Sequence, residues 1–151
     1  MRRHWSGVFC LLVLGGASCT SATSPAGRIY VLREHRAQWR AAGIHAYAFN
    51  LQTQAMLSGP PVRIEVRADT VARVVNRATG AELTVRDWPT VDSLFVSAED
   101  LLRGDNYHPT IRYAPRLGYP VEIDAASDIP DAGYSVIISD FVVNHYGYGP
   151  D

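Results

Sequence analysis

Among the 151 residues, five histidines, fifteen carboxylates and two cysteines hold the chemistry to ligate a metal or move a proton. Three of the acids, Asp124, Asp128 and Asp131, recur within one stretch and offer oxygen ligands of the kind calcium takes. Their spacing lacks the D-x-D-x-D-G order of a dedicated calcium loop, so a solvated turn is the competing reading. His45, His108 and His145 fall near the ends of expected strands, with no second histidine or carboxylate at metal-ligand spacing, which argues against zinc. His35 lies on the apolar side of an expected helix, where a lone histidine reads as a hydrogen-bonded core residue rather than a general base.

Nucleophiles are scarcer still. The chain has no G-x-S-x-G elbow, and its complete lack of lysine removes Schiff-base chemistry. Gly15-Gly16, Gly147 and Gly149 follow no strand-to-helix turn that could cradle a phosphate. Cys10 and Cys19 both lie in the first nineteen residues, so the rest of the chain can form no disulfide, zinc ribbon or thiol nucleophile. No catalytic residue, metal site or cofactor is therefore assigned from the sequence. An acid/base pair assembled from distant residues would leave little trace in it.

Cys19 does carry a signal. Arg2 and Arg3 precede an apolar run from Val8 to Leu14, which closes on Gly15-Gly16-Ala17-Ser18-Cys19. Charge, short apolar segment and small residues in that order form an export signal, and the run is too short to span a bilayer. Its end resembles the lipobox cleaved by the lipoprotein signal peptidase, which implies a mature chain starting at a lipid-modified Cys19. Gly16 stands where that motif usually has leucine. The alternative is plain secretion, with cleavage after the small residues Thr20-Ser21-Ala22. Thr20 after the cysteine resembles, by the sorting rules of Gram-negative bacteria, an outer-membrane address. The expected divisions are a signal over 1–18, a flexible tether over 19–28 (within it TSATSPAG, Thr20 to Gly27), a single domain over 29–143 and a tail over 144–151.

Without Arg2 and Arg3 the chain has twelve arginines against fifteen acids, a balance of −3 that predicts no nucleic-acid role. Hydrophobic periodicity supplies the elements that must position everything else. Leu32, His35, Trp39 and Ala42 recur at helical spacing from Ile29 to Ala42, with Gly43 where a helix would stop and Trp39 as a core anchor. Tyr47, Phe49 and Leu51 then alternate with polar or small residues as in a half-buried strand, and Val62, Ile64 and Val66 do the same. Asp69 marks a turn, Val71 to Val75 returns as a strand, and a short extended piece covers Leu83 to Val85.

A second unit starts at Trp88-Pro89-Thr90, with Thr90 as the cap of a helix whose Val91, Leu94, Phe95, Ala98, Leu101 and Leu102 share one face. Alternation resumes through Tyr107 to Tyr113, Tyr119 to Ile123 and Tyr134 to Phe141, placing Tyr107, Tyr113, Tyr119 and Tyr134 under the helices. The expected fold is α+β: an antiparallel sheet with two helices packed on one face, helix plus meander arranged twice.

Trp39, Tyr47-x-Phe49, Pro61-Val62-Arg63-Ile64-Glu65-Val66, Thr90-Val91-Asp92-Ser93-Leu94-Phe95, Tyr113-x4-Gly118-Tyr119-Pro120 and Asp131-x-Gly133-Tyr134-Ser135-Val136 together carry a resemblance. From Leu32 to Phe141 the chain resembles the exported bacterial proteins, often lipoproteins, grouped as domain of unknown function 6174. The resemblance implies a location and a fold but no activity. Many members of that family carry a Cys-x-Cys pair after the first strand, where this chain has the cysteine-free run Leu51 to Ser58.

The functional expectation is a noncatalytic envelope module that is held to a membrane by lipid on Cys19 and binds an envelope protein or cell-wall component. Small helix-and-meander inhibitors of proteases and β-lactamases, and assembly-factor lipoproteins, resemble the layout and act by binding. His145, Tyr146 and Tyr148 in the glycine-spaced tail are candidate contacts, since tyrosine beside glycine adapts to a partner, with a frayed terminus as the alternative. The competing function is a small hydrolase-like envelope enzyme.

Overall fold

A computed structural model describes residues 24–55 and 58–144. Cys19, the proposed signal and the tail residues His145, Tyr146 and Tyr148 lie outside the described residues.

Ser24 caps the first helix, α1 (Pro25–Ala41), by accepting from the Gly27 N–H at 3.1 Å, and Pro25 occupies the first turn where its missing N–H costs nothing. The helix thus starts four residues before Ile29, so Pro25 to Arg28 are helical and not part of the flexible tether expected over 19–28. A serine followed by proline is itself a helix start, and it outweighs the small polar composition of the segment. The second helix, α2 (Val91–Arg103), opens on the expected Thr90 with a reciprocal cap: Thr90 Oγ1 accepts from the Ser93 N–H, and Ser93 Oγ accepts from the Thr90 N–H.

Seven strands, β1 (Tyr47–Gln54), β2 (Val62–Arg67), β3 (Thr70–Asn76), β4 (Glu82–Leu83), β5 (Tyr107–Tyr113), β6 (Pro120–Ser127) and β7 (Tyr134–Val143), form one antiparallel sheet in the order β4-β3-β2-β1-β7-β6-β5. Each helix is followed by its own meander, as expected, and the first and last strands pair at the centre to join the two units. Tyr47, Phe49, Leu51, Val62, Ile64, Val66, Ile123 and Ile138 point to one face and share a single core with Leu32 and Trp39 of α1 and Val91, Leu94, Phe95, Ala98 and Leu102 of α2. The fold is α+β with both helices on one face of the sheet.

The helices also cross between units. α1, which precedes the first meander, lies against the second: Arg28 Nη1 donates to the Pro109 carbonyl, His35 stacks on Tyr113 with ring centroids 3.9 Å apart, and Gln38 Nε2 donates to the Pro115 carbonyl. α2 reaches back to the first, its Val91 N–H donating to the buried Tyr47 hydroxyl at 3.0 Å. Of the four tyrosines expected under the helices, Tyr113 and Tyr119 pack against the core. Tyr107 and Tyr134 pair with each other, centroids 5.9 Å apart.

Candidate functional site

The side chains between those core positions project to the other face of the sheet, on which no described helix lies. Arg63, Glu65 and Arg67 of β2, Asn50 and Gln52 of β1, Ile137 and Ser139 of β7, Glu122 and Asp124 of β6, and His108, Thr110 and Arg112 of β5 belong to this face by register. At its centre stands Asn50, 6% exposed and the one buried polar residue among those described. Its Nδ2 donates to the Asp140 carboxylate, and its Oδ1 accepts from Arg63 Nη1, which also donates to the Asp140 carbonyl at 2.7 Å.

A bulge makes this arrangement. The β1–β7 register shifts between Ala48 and Asn50, and Asp140 sits in the extra position with φ of +48°. The kink turns both its carboxylate and its carbonyl toward neighbouring strands, as bulges re-aim side chains. Ion pairs flank the network: Arg112 with Glu122 across β5 and β6 on one side, and on the other Arg73 with Glu65 and Glu82 across strands, and Arg67 with Glu65 along β2. The face thus carries alternating, mostly paired charges around a buried polar centre.

Both borders of the sheet resist extension. β4 is two residues long. β5 carries Pro109, which has no N–H to offer, and the carbonyl of that residue is taken by Arg28. Short edge strands and edge prolines are the ordinary means of blocking strand addition.

A cleft of about 400 Å³ opens beside the end of α1, lined by Trp39, Arg40, Ile44, His45, Asp69 and Asp92. The two-residue β2–β3 turn gives both Ala68 and Asp69 positive φ, as a type I′ hairpin requires, and brings the Asp69 carboxylate to His45 Nδ1 at 2.8 Å. The Trp39 indole donates to Asp92 Oδ2 at 3.2 Å. The imidazole is well exposed, at 68%. Among the described residues no Ser, Thr, Cys or Lys lines this cleft.

The structure separates the sequence candidates for metal. Asp124 lies in β6 on the open face, Asp128 pairs with His108 Nε2 at 2.9 Å, and Asp131 occupies a turn with φ of +63°. Among the described residues no three His, Cys, Asp or Glu side chains gather as a metal site would need. The sequence reading missed the two His–Asp pairs because their members stand 24 and 20 residues apart and meet only across hairpins. His35 is not hydrogen-bonded at Nδ1 as expected of a core histidine, and is held by stacking.

Two helix-plus-meander units sharing one sheet, with helices on one face and a charge-ordered second face that no described helix covers, define a small α+β protein. The chain belongs to the Family of unknown function (DUF6174), whose sequence profile matches residues 31–143. No curated protein and no solved structure matches it.

Proposed function

We propose that this protein is a noncatalytic binding module of the cell envelope, anchored by lipid on Cys19, and that it grips a protein partner through the open face of its sheet. The observation that carries the reading is the Asn50–Arg63–Asp140 network, which fixes three polar side chains from three strands before any partner arrives. Preordered side chains lower the entropy cost of association. The alternation of paired positive and negative groups suits the mixed polar surface of a protein better than a polyanion. The blunted edges favour the face over strand addition as the contact.

A photo-crosslinking residue at Gln52, on the open face, tests this in cells against the same residue at Val96 on α2, with Cys19→Ala as a companion. One abundant protein adduct is expected from Gln52 alone, lost or reduced when Cys19 is replaced. Equal adducts from Val96, or none from Gln52, would sink the reading.

The His45–Asp69 pair in the cleft beside Asp92 favours the second reading, a small hydrolase-like enzyme. A carboxylate on Nδ1 leaves Nε2 as a base for a bound water. Turnover of any ester or amide substrate that is lost in His45→Gln would establish it.

A further inference from the structure

We propose that a second cleft, between α1, the end of α2 and the edge strand β5, is a binding site for a single-chain anionic amphiphile: an apolar tail carrying a carboxylate. The cleft measures about 460 Å³ and is walled by Val31, Leu102, Pro109, Ile111 and Tyr113, with Thr110 at its rim and Arg28 as its charged residue. That size falls within the roughly 300–1,000 Å³ of small-molecule sites, which pair apolar walls with a few polar groups that fix orientation.

Arg28 gives the site its sign. Of the four arginines on α1, three pair with acids of α2: Arg33 and Arg36 with Glu99, and Arg40 with Asp92. Arg28 has no acid within ion-pair reach among the described residues. Its one side-chain hydrogen bond among the described residues is the 3.4 Å contact with the Pro109 carbonyl, and its Nε is buried without a described partner. A second orphaned nitrogen, Nδ1 of His35, belongs to the ring stacked on the Tyr113 wall. A guanidinium with unused donors beside apolar walls is complementary to a carboxylate with a hydrocarbon tail. An extended peptide adding to β5 fits less well, because Pro109 supplies neither a free N–H nor a free carbonyl there.

Methyl and aromatic NMR titrations of the full chain with monomeric dodecanoate, dodecanol and acetate test the proposal site by site, apart from any uptake by the apolar N-terminal segment. Saturable shifts confined to Val31, Leu102, Ile111 and Tyr113 are expected, with dodecanoate bound at least about tenfold more tightly than dodecanol and acetate not bound. Arg28→Gln should remove the preference for dodecanoate, and Val31→Trp, on the half-buried α1 wall, should block both long-chain probes. If Arg28→Gln does not fold, the same preference in the unaltered chain should shrink as salt rises. Equal affinity for dodecanol and dodecanoate, shifts centred on Ile137 of the open face, or binding indifferent to Val31→Trp would each overturn the assignment.

Discussion

Trp39, near the end of the first helix, meets Phe141, near the end of the last strand, edge to face with ring centroids 5.9 Å apart. The same indole touches Tyr47 and Tyr119 edge-on and donates to Asp92 at the start of α2. One side chain thus holds both helices, two strands and the β5–β6 turn. Trp39→Ala should cost about 3–5 kcal/mol, the range for deleting a large buried aromatic. Trp39→Phe keeps a ring but removes the indole donor from Asp92, which stays half exposed beside Arg40, and should cost about 1–2 kcal/mol. Urea unfolding followed by circular dichroism measures both; no loss in Trp39→Phe would mean the indole hydrogen bond adds nothing, and losses equal in the two variants would mean the retained ring adds nothing.

Gly118 and Gly80 both have positive φ, +77° and +74°, yet a methyl group would meet very different surroundings. At Gly118 it would lie 2.6 Å from the His35 carbonyl oxygen, whereas at Gly80 nothing is within 4 Å. Gly80→Ala should cost about 1–2 kcal/mol, the left-handed backbone penalty alone. Gly118→Ala adds a clash between the β5–β6 turn and α1 and should cost about 2–5 kcal/mol. Thermal melts of the two variants side by side test whether the helix–turn contact is as close as described.

Burial pushes the Tyr47 phenol up to about 12, and desolvation raises Tyr113, Tyr119 and Tyr134 in the same direction. A raised phenol pKa means that the folded state keeps protons the unfolded chain has already released. Stability from this source is complete below the unfolded value near 10 and falls as pH climbs through the folded one. Tyr47 alone should contribute a loss of about 3 kcal/mol between pH 10 and 12. Urea midpoints at pH 9 and 11.5 should differ strongly in the unaltered protein and less in Tyr47→Phe.

Glu99 behaves oppositely. Its hydrogen bonds from Arg103 and Arg33 hold the carboxyl below the usual carboxylate range. Its contribution is present above the unfolded carboxylate pKa and disappears as pH falls through the lowered folded value. Glu99→Gln should therefore lower stability at pH 7 by under about 1 kcal/mol and flatten the acid side of the profile below pH 5. Unfolding midpoints at pH 7, 5 and 3, repeated in high salt where the difference should shrink, decide it.

The elements were legible because their signals are local. Thr90 and Ser93 announce a cap within four residues, and the alternation in Val62-Arg63-Ile64-Glu65-Val66 separates the two sheet faces unaided. The start of α1 was misplaced because small polar residues before Ile29 resemble a linker, although Ser24-Pro25 is a helix start. The site was hardly legible, for a physical reason. Asn50 and Asp140 lie 90 residues apart and meet across a bulge that no periodicity encodes. His45–Asp69 likewise needs the positive φ of a two-residue turn made by Ala68 and Asp69, where neither residue is glycine.

Pairing of the first strand with the last sets the order in which this protein can be finished. The β1–β2–β3 and β5–β6–β7 meanders draw on neighbours along the chain and can close early. The β1–β7 seam needs contacts of the longest sequence separation, which form slowly. The two halves of the sheet pair only along β1 and β7, from Gln54 opposite Ser135 to Tyr47 opposite Val143. A premature stop before β7 would therefore leave two short sheets with raw central edges, the kind that pair with other chains and aggregate. Loss of β4 would shorten one border and spare the rest.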